Sequence, residues 1–302
     1  MADKKTPLEK EWDSFLKREN KTLKKYGTRK EPFWEKKLHK AVPDGLREKL
    51  EDAFYKAFCV ILENGTGVIE KTFPKEKLEA EFKTREYAGR LYPVRKNLAA
   101  GRKLAARQAA AGVAGACAEG AVLGLLGIGL PDIPLFLAAL LRGLYTQALH
   151  FGVDYRNPEE QELLLELLTL SLYNGEDFKE RDAAMNRKLY RMARRPHREA
   201  LPEKTQAYGA ASPGKTKEFE AAPPEKAPAD VDAAALNASR ALSGELLYMK
   251  FLQGVPIAGV IGGLYDGIYM KKVTGYAAIK LERRYLLGKS EEKGVKTEVK
   301  PR

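Results

Sequence analysis

The sequence predicts an all-α fold, a multi-helix bundle, and three observations carry that prediction. Apolar residues recur at helical spacing from end to end, no run alternates apolar with polar over strand length between hairpin turns, and glycines and prolines punctuate the ends of the periodic segments. With 302 residues, the chain can bury a core without disulfide or metal staples.

Leu46, Leu50, Phe54, Phe58 and Leu62 share one helical face at a four-residue spacing, and Gly65 with Gly67 is expected to end that helix. The next helix should start near Pro74, whose ring suits a first turn, and stop before Pro93. From Val94 a long helix runs through GRKLAARQAAAGVAGACAEGAVLGLLGIGL, losing its charges as it goes, to a break at Gly129-Leu130-Pro131. Asp132 ahead of Ile133 and Pro134 makes a helix start, and the apolar stretch behind it continues to about Gly152. Asn157-Pro158-Glu159-Glu160 is another start, with a capping residue, a proline in the first turn and carboxylates where the helix dipole favours them. A leucine-packed helix follows, is interrupted at Gly175, and gives way to a basic helix.

Residues 196–231 change to Pro, Ala, Lys and Glu with little to bury, the profile of a flexible, disordered insertion. Helix resumes near Asp232, breaks at Pro256, and should stop at Gly288. The predicted organisation is an N-terminal helical part over 1–195, the linker over 196–231, a C-terminal helical part over 232–288 on the same core, and a charged tail over 289–302.

Net charge is +12, and the excess is localised in the first 49 residues, in 179–198, and from Lys271 onward. Such blocks beside apolar segments favour an anionic membrane surface, or a membrane protein there, each Lys or Arg near the surface contributing about 1 kcal/mol. Nucleic acid is the rival partner and ranks lower, because the blocks lack interleaved aromatics or a recognition helix. The N-terminus is charged where a secretory signal needs an apolar run, so residence inside the cell is expected, at the inner face of a membrane, peripheral or partly inserted, with soluble cytoplasm as the alternative. Cys59 and Cys117 sit in apolar helical stretches and read as small buried hydrophobes. His39, His150 and His197 have no second ligand at metal spacing, so neither a metal nor a cofactor is expected.

Small residues are the more informative pattern. Gly112, Ala116, Gly120 and Gly124 form one four-residue ladder, and Gly259, Gly263 and Gly267 form another. Glycine within a helix costs about 1 kcal/mol relative to alanine, and close backbone approach between helices is the usual compensation. Two readings stand open: a membrane-inserting hairpin, since residues 109–130 are about long enough to cross a hydrocarbon core of roughly 30 Å, and a pair buried in a soluble bundle.

Glu119, Asp132, Arg142, Asp154 and Asp266 interrupt these apolar stretches, and buried charges demand partners, so Arg142 is expected to pair with one of the acids. Glu119 and Asp266 are the candidate buried polar groups. Asp132 and Asp154, with Arg142 stabilising charge, form the alternative of a hydrolytic carboxylate cluster; helix capping and a structural ion pair form the plainer one. Residues 209–216, GAASPGKT, match the phosphate-loop pattern, but no strand delivers the loop and prolines follow it, so the match reads as chance.

Four stretches together resemble the EcsC protein family: a charged N-terminal helix with Glu11-Trp12; VPDGLREKLEDAFYKAFCVILENGT; GLPDIPLFLAALLRGLYTQALHFGVDYRNPEEQELLLELL; and VPIAGVIGGLYDGIYMKKVTGYAAIKLERRYL. The third holds Asp132, Arg142, Gly152 and Asp154, and the fourth holds Pro256, Gly259, Gly263, Lys280 and Arg284. The resemblance implies a bacterial, helical, membrane-associated protein, an accessory or interaction partner in transport or secretion with a link to an ABC transporter. It supplies no reaction, cofactor or catalytic residue.

Overall fold

The computed structural model describes residues 5–27, 44–125, 133–194, 229–252 and 258–292, and gives the helical backbone alone for 44, 46, 111–125, 246–252 and 258–266. The fold is all-α. In chain order the helices are α1 (Pro7–Gly27), α2 (Asp44–Val60), α3 (Thr66–Glu70), α4 (Lys75–Leu91), α5 (Arg95–Leu125), α6 (Ile133–His150), α7 (Pro158–Leu172), α8 (Gly175–Arg194), α9 (Val231–Leu252) and α10 (Ala258–Glu292). Of the predicted insertion, residues 196–228 lie outside the described residues, as do the Pro131 and Pro256 breaks, and Val231 already begins α9.

The axis of the bundle is α10, whose 35 residues span roughly 50 Å at 1.5 Å per residue. It packs against α1, α5, α6, α7 and α8. One apolar core takes Leu137, Leu140, Leu144 and Tyr145 from α6, Leu163, Leu164, Leu167 and Leu168 from α7, Ala235 and Ala238 from α9, and Val273, Tyr276 and Leu281 from α10. Helices on both sides of residues 195–228 therefore share one core.

The most extensive helix pairing joins α5 to α10, the two helices that carry the small-residue ladders. Gly267 is buried. The surroundings of Gly112, Ala116, Gly120, Gly124, Gly259 and Gly263 lie outside the described residues. A glycine outside both ladders makes a close approach that is described: a Cβ at Gly143 would stand 2.8 Å from Met270 Sδ and from Thr274 Cγ2, which lets α6 seat directly on α10.

Two predicted helix ends fall elsewhere. The helix holding Leu50, Phe54 and Phe58 does not stop at Gly65 and Gly67; it passes through a π-helical turn, Ile61–Gly65, into α3. The wider turn shifts the register by about one residue. Ile69 thereby reaches the core while Val68 faces solvent, and Leu62 is left only partly buried. At the other end α10 runs through Gly288 to Glu292, because Leu286 and Leu287 pack on α1 and Ser290 stays buried. Cys59 is half-buried rather than sealed in the core, and Cys117 lies outside the described side chains.

The end of α6 explains the left-handed residue at Gly152. Its N–H donates to the Leu149 carbonyl at 3.2 Å, and the Val153 N–H donates to the Ala148 carbonyl at 3.0 Å, a Schellman closure that satisfies two terminal carbonyls. Gly152 has φ +71°, and a Cβ there would stand 2.1 Å from the Phe82 ring of α4. Gly175 has φ +68° with open space around it. Both glycines thus answer to backbone conformation, but only Gly152 also answers to packing. Gly175→Ala should cost about 1 kcal/mol of backbone strain, and Gly152→Ala should cost about 2 to 4 kcal/mol by adding overpacking to strain. Urea unfolding of the two variants checks this ordering, and equal midpoints would refute it.

Candidate functional site

The sequence-nominated residues do not form a described cluster. Asp154 is exposed, and its Oδ1 accepts the Arg156 N–H at 3.0 Å, which closes the turn ahead of α7. Arg142 is exposed about two turns before the end of α6, and among the described residues no acid pairs with it. Hydropathy placed Arg142 inside an apolar helix, yet the helical period turns it away from the core that Leu140, Leu141 and Leu144 enter. Asp132 and the side chains of Glu119 and Asp266 lie outside the described residues, as does the 209–216 loop. The hydrolytic alternative therefore has a turn cap and a surface cation as its two described members.

The charges that are buried are different ones. Lys280 on α10 has no exposed surface, and its Nζ meets Glu19 Oε1 of α1 at 3.2 Å, Asp182 Oδ1 of α8 at 2.7 Å and Asn186 Oδ1 at 2.8 Å. Tyr276 donates to Asp182 Oδ1 at 2.8 Å. Arg283 binds both carboxylate oxygens of Glu19 and lies over the Trp12 and Phe15 rings. Burial alone would raise the Glu19 carboxyl, but Arg283 and Lys280 hold it below the ordinary value.

A second network continues the same helix interface. Glu11 of α1 is buried and accepts from Arg95 Nε at 2.7 Å and Arg18 at 3.1 Å, with Arg102 at 3.7 Å. Glu282 of α10 takes Arg18 at 2.6 Å and Arg102 at 3.4 Å. Burial raises the Glu282 carboxyl despite those cations. A third cluster ties α3 to the turn before α7: Glu70 accepts Tyr155 Oη at 2.8 Å, Arg156 Nε at 2.8 Å and Lys75 at 3.1 Å, and these donors bring it down to about 2 against the opposing effect of burial.

These pairs correct the reading of the C-terminal basic block. Lys280 and Arg283 face Glu19, Arg284 binds Glu160, and Lys289 meets Glu86 at 2.5 Å, so much of that block neutralises the interior. The signal was present in the sequence. Glu19 continues the stripe Leu8, Trp12, Phe15 at helical spacing, and Lys280 continues Val273, Tyr276 and Ala277; a charge on an apolar stripe is a buried ion in search of a partner.

Beneath the α4–α5 connection a small recess is lined by Phe82, Arg85, Glu86, Asn97, Gly101, His150 and Tyr285 among others. His150 is buried with neither ring nitrogen bonded, while its carbonyl accepts from Arg85 at 2.8 Å. Burial, then the Arg85 charge, lowers the imidazole to about 4. The free space is about that of one water molecule, so this recess does not accommodate an organic substrate. Among the described residues no group of His, Cys, Asp and Glu is arranged to hold a metal ion.

What the fold does assemble is a basic pole at the C-terminal end of α10. A satellite apolar cluster there joins Leu8, Trp12 and Phe15 of α1 to Leu286 and Leu287, with Leu98 of α5 and Tyr190 and Ala193 of α8 packed on it. Glu86 of α4 reaches Tyr285 Oη at 2.6 Å. Around this junction Lys10, Arg90, Arg95, Lys96, Arg187, Arg191 and Arg194 are exposed. Nearby acids are engaged: Glu291 with Arg194 at 3.6 Å, Glu292 with Lys289 at 2.9 Å, and Asp13 with Lys5 at 2.5 Å. Among the described residues no helix is long and apolar enough to cross a membrane.

A model of the EcsC protein family matches residues 9–286. Comparison with curated proteins and with solved structures returns no match.

Lys280→Met should destabilise the fold by about 3 to 5 kcal/mol, because it leaves the buried Asp182 without its cation and Glu19 with Arg283 alone. Lys5→Met, which removes an exposed pair, should leave the urea midpoint unchanged. Comparison of the two unfolding curves checks the pair. For His150 the folded value, about 4, lies below the ordinary 6.5, so the unfolded chain takes up the proton first as pH falls. Its contribution is complete above pH 6.5 and is lost progressively toward pH 4, about 2 kcal/mol by pH 5. His150→Gln should flatten the pH dependence of stability in that window; an unchanged slope would exclude His150 as its source.

Proposed function

The chain belongs to the EcsC protein family, and from that premise we propose that it is a membrane-associated helical protein that acts by association, as an accessory or interaction partner at the cytoplasmic face of a bacterial membrane, in transport or secretion. The observation that carries this reading is the basic pole. Cations from α1, α8 and the α4–α5 connection converge on one end of the bundle, while the acids at that end are engaged in pairs.

A pole of this kind suits an anionic lipid surface, whose field falls off over about a Debye length, roughly 8 Å at physiological salt. Several exposed cations on one end can lie within that distance of the bilayer at once, whereas the same number spread around the molecule cannot. The ion pairs of α10 lie inside the protein and would not be lost on attachment. Attachment is thus peripheral and electrostatic, and it needs no crossing helix.

Cell fractionation tests the reading. In low salt the protein should sediment with membranes, and about 0.5 M salt should release most of it, because screening at that strength shortens the reach of surface charge to a few ångströms. Full recovery in the soluble fraction at low salt would end the proposal. Retention through both high salt and carbonate would replace it with an inserted protein.

A further inference from the structure

The basic pole includes a surface that charge alone does not explain. At the end of α4 and in the turn to α5, Tyr87 is 66% exposed, Leu91 56%, Tyr92 68% and Val94 48%. Tyr87 and Leu91 stand one helical turn apart on the same face of α4, and Leu91 through Val94 form the tip of the elbow. Lone exposed apolar residues are ordinary, but four within eight positions of one rigid elbow form a patch.

The elbow is built to hold them out. The Tyr92 N–H donates to the Ala88 carbonyl at 2.9 Å, and the Val94 N–H donates to the Tyr92 carbonyl at 2.7 Å across Pro93. The Asn97 amide then bonds the Tyr92 carbonyl at 2.9 Å. Arg95 Nε fastens the start of α5 to the buried Glu11 at 2.7 Å, and Glu86 fastens α4 to Tyr285 and Lys289 of α10. A turn tied at both shoulders does not fold its apolar tip back onto the protein.

Charge complements the patch. From residue 83 to residue 107 the chain has eight basic residues, Lys83, Arg85, Arg90, Arg95, Lys96, Arg102, Lys103 and Arg107, and one acid, Glu86, which is turned inward to Lys289. Lys83, Arg90, Arg95 and Lys96 are exposed around the tip. Tyrosines with an apolar body and a polar end, short aliphatic side chains beside them and a ring of cations match the layered chemistry of an anionic bilayer: acyl boundary, interface and phosphate.

We propose that the α4–α5 elbow is the docking surface of this protein for an anionic lipid bilayer, with Leu91, Tyr92 and Val94 seated at the level of the headgroups and Lys83, Arg90 and Lys96 facing lipid phosphates. This inference rests on the membrane-associated reading above and adds the surface and the apolar contribution to it. Attachment through the elbow depends on both parts, so removing either weakens it.

The test is co-sedimentation of the full chain with phosphatidylcholine vesicles, with and without phosphatidylglycerol. Wild type should bind only the anionic vesicles. Arg90→Gln with Lys96→Gln should weaken binding by about 25-fold, near fivefold per cation. Leu91→Ser with Val94→Ser should weaken it by about tenfold or more through lost apolar burial. Val68→Ser, an exposed apolar change on α3, should leave binding intact. Because the substituted side chains are exposed, circular dichroism should show unchanged helix content. Tyr92→Trp supplies a second readout, a blue shift of emission on adding anionic vesicles and none on adding neutral ones. Wild-type levels of binding by the elbow variants would overturn the elbow while leaving membrane association standing, as would an unshifted Tyr92→Trp spectrum in bound protein. Failure of wild type to bind anionic vesicles at all would overturn both. Elbow variants that keep vesicle binding but lose affinity for a duplex DNA oligonucleotide would reassign the surface to nucleic acid.

Discussion

The burial of Lys280 is the constraint on which the rest of the arrangement depends. An ammonium group without solvent contact is tolerated only when acids surround it, and the two that do so come from helices far apart in sequence, Glu19 on α1 and Asp182 on α8. The axial helix therefore specifies the place of the first helix. Apolar contact alone would hold α1 by the side chains of the satellite cluster and by Leu23 and Tyr26 on the main core. With Glu19 gripped by Lys280 and Arg283, and Arg18 of α1 bound to the buried Glu282, a slip of α1 along α10 would strand buried charges, and that penalty defines a single register.

The same constraint redistributes charge. A count along the chain puts three blocks of cations on the protein and suggests three basic faces. Packing removes four cations of one of them: Lys280, Arg283, Arg284 and Lys289 are matched to acids of α1, α4, α7 and α8. The exposed excess shifts to places that a linear count does not single out, above all the α4–α5 connection, while the outward row on α8 remains where the sequence put it. Net charge is a property of the sequence, but the surface that a partner meets is a property of which charges the interior has already matched.

Much of the fold was legible in the residues. Pro74, Pro93, Asn157-Pro158 and Gly152 mark helix ends through backbone chemistry that acts within a few residues, and those ends stand where local reasoning puts them. The wide turn at Ile61–Gly65 and the continuation of α10 past Gly288 were not legible, because each is decided by side chains from distant helices: Ile69 must reach the core, and Leu286 with Leu287 must reach α1. The candidate site was legible in smaller part. Mean apolarity places Arg142 in the interior but ignores the face on which a residue falls. Glu19 and Lys280 each interrupt an apolar stripe at a core position, and that interruption is the readable signature of a buried ion pair. The elbow had no local signal, since Tyr87 and Leu91 are ordinary core types until the neighbouring helices fail to cover them.

Rigidity connects the buried ions to the exposed patch. Glu11 sits in the interior and reaches outward to Arg95, the first residue of α5, so the acid that anchors α1 also fixes the far shoulder of the elbow. Glu86 performs the matching task on the near shoulder by tying α4 to the end of α10. An apolar tip on a loose loop would pay for ordering on every encounter with a surface and would collapse onto the protein between encounters. Held between two anchored helices, the tip is ordered before it meets anything, so apolar area and cations are presented together at no further loss of conformational freedom. Interior electrostatics and surface recognition are in this protein the same set of bonds, seen from opposite ends of their side chains.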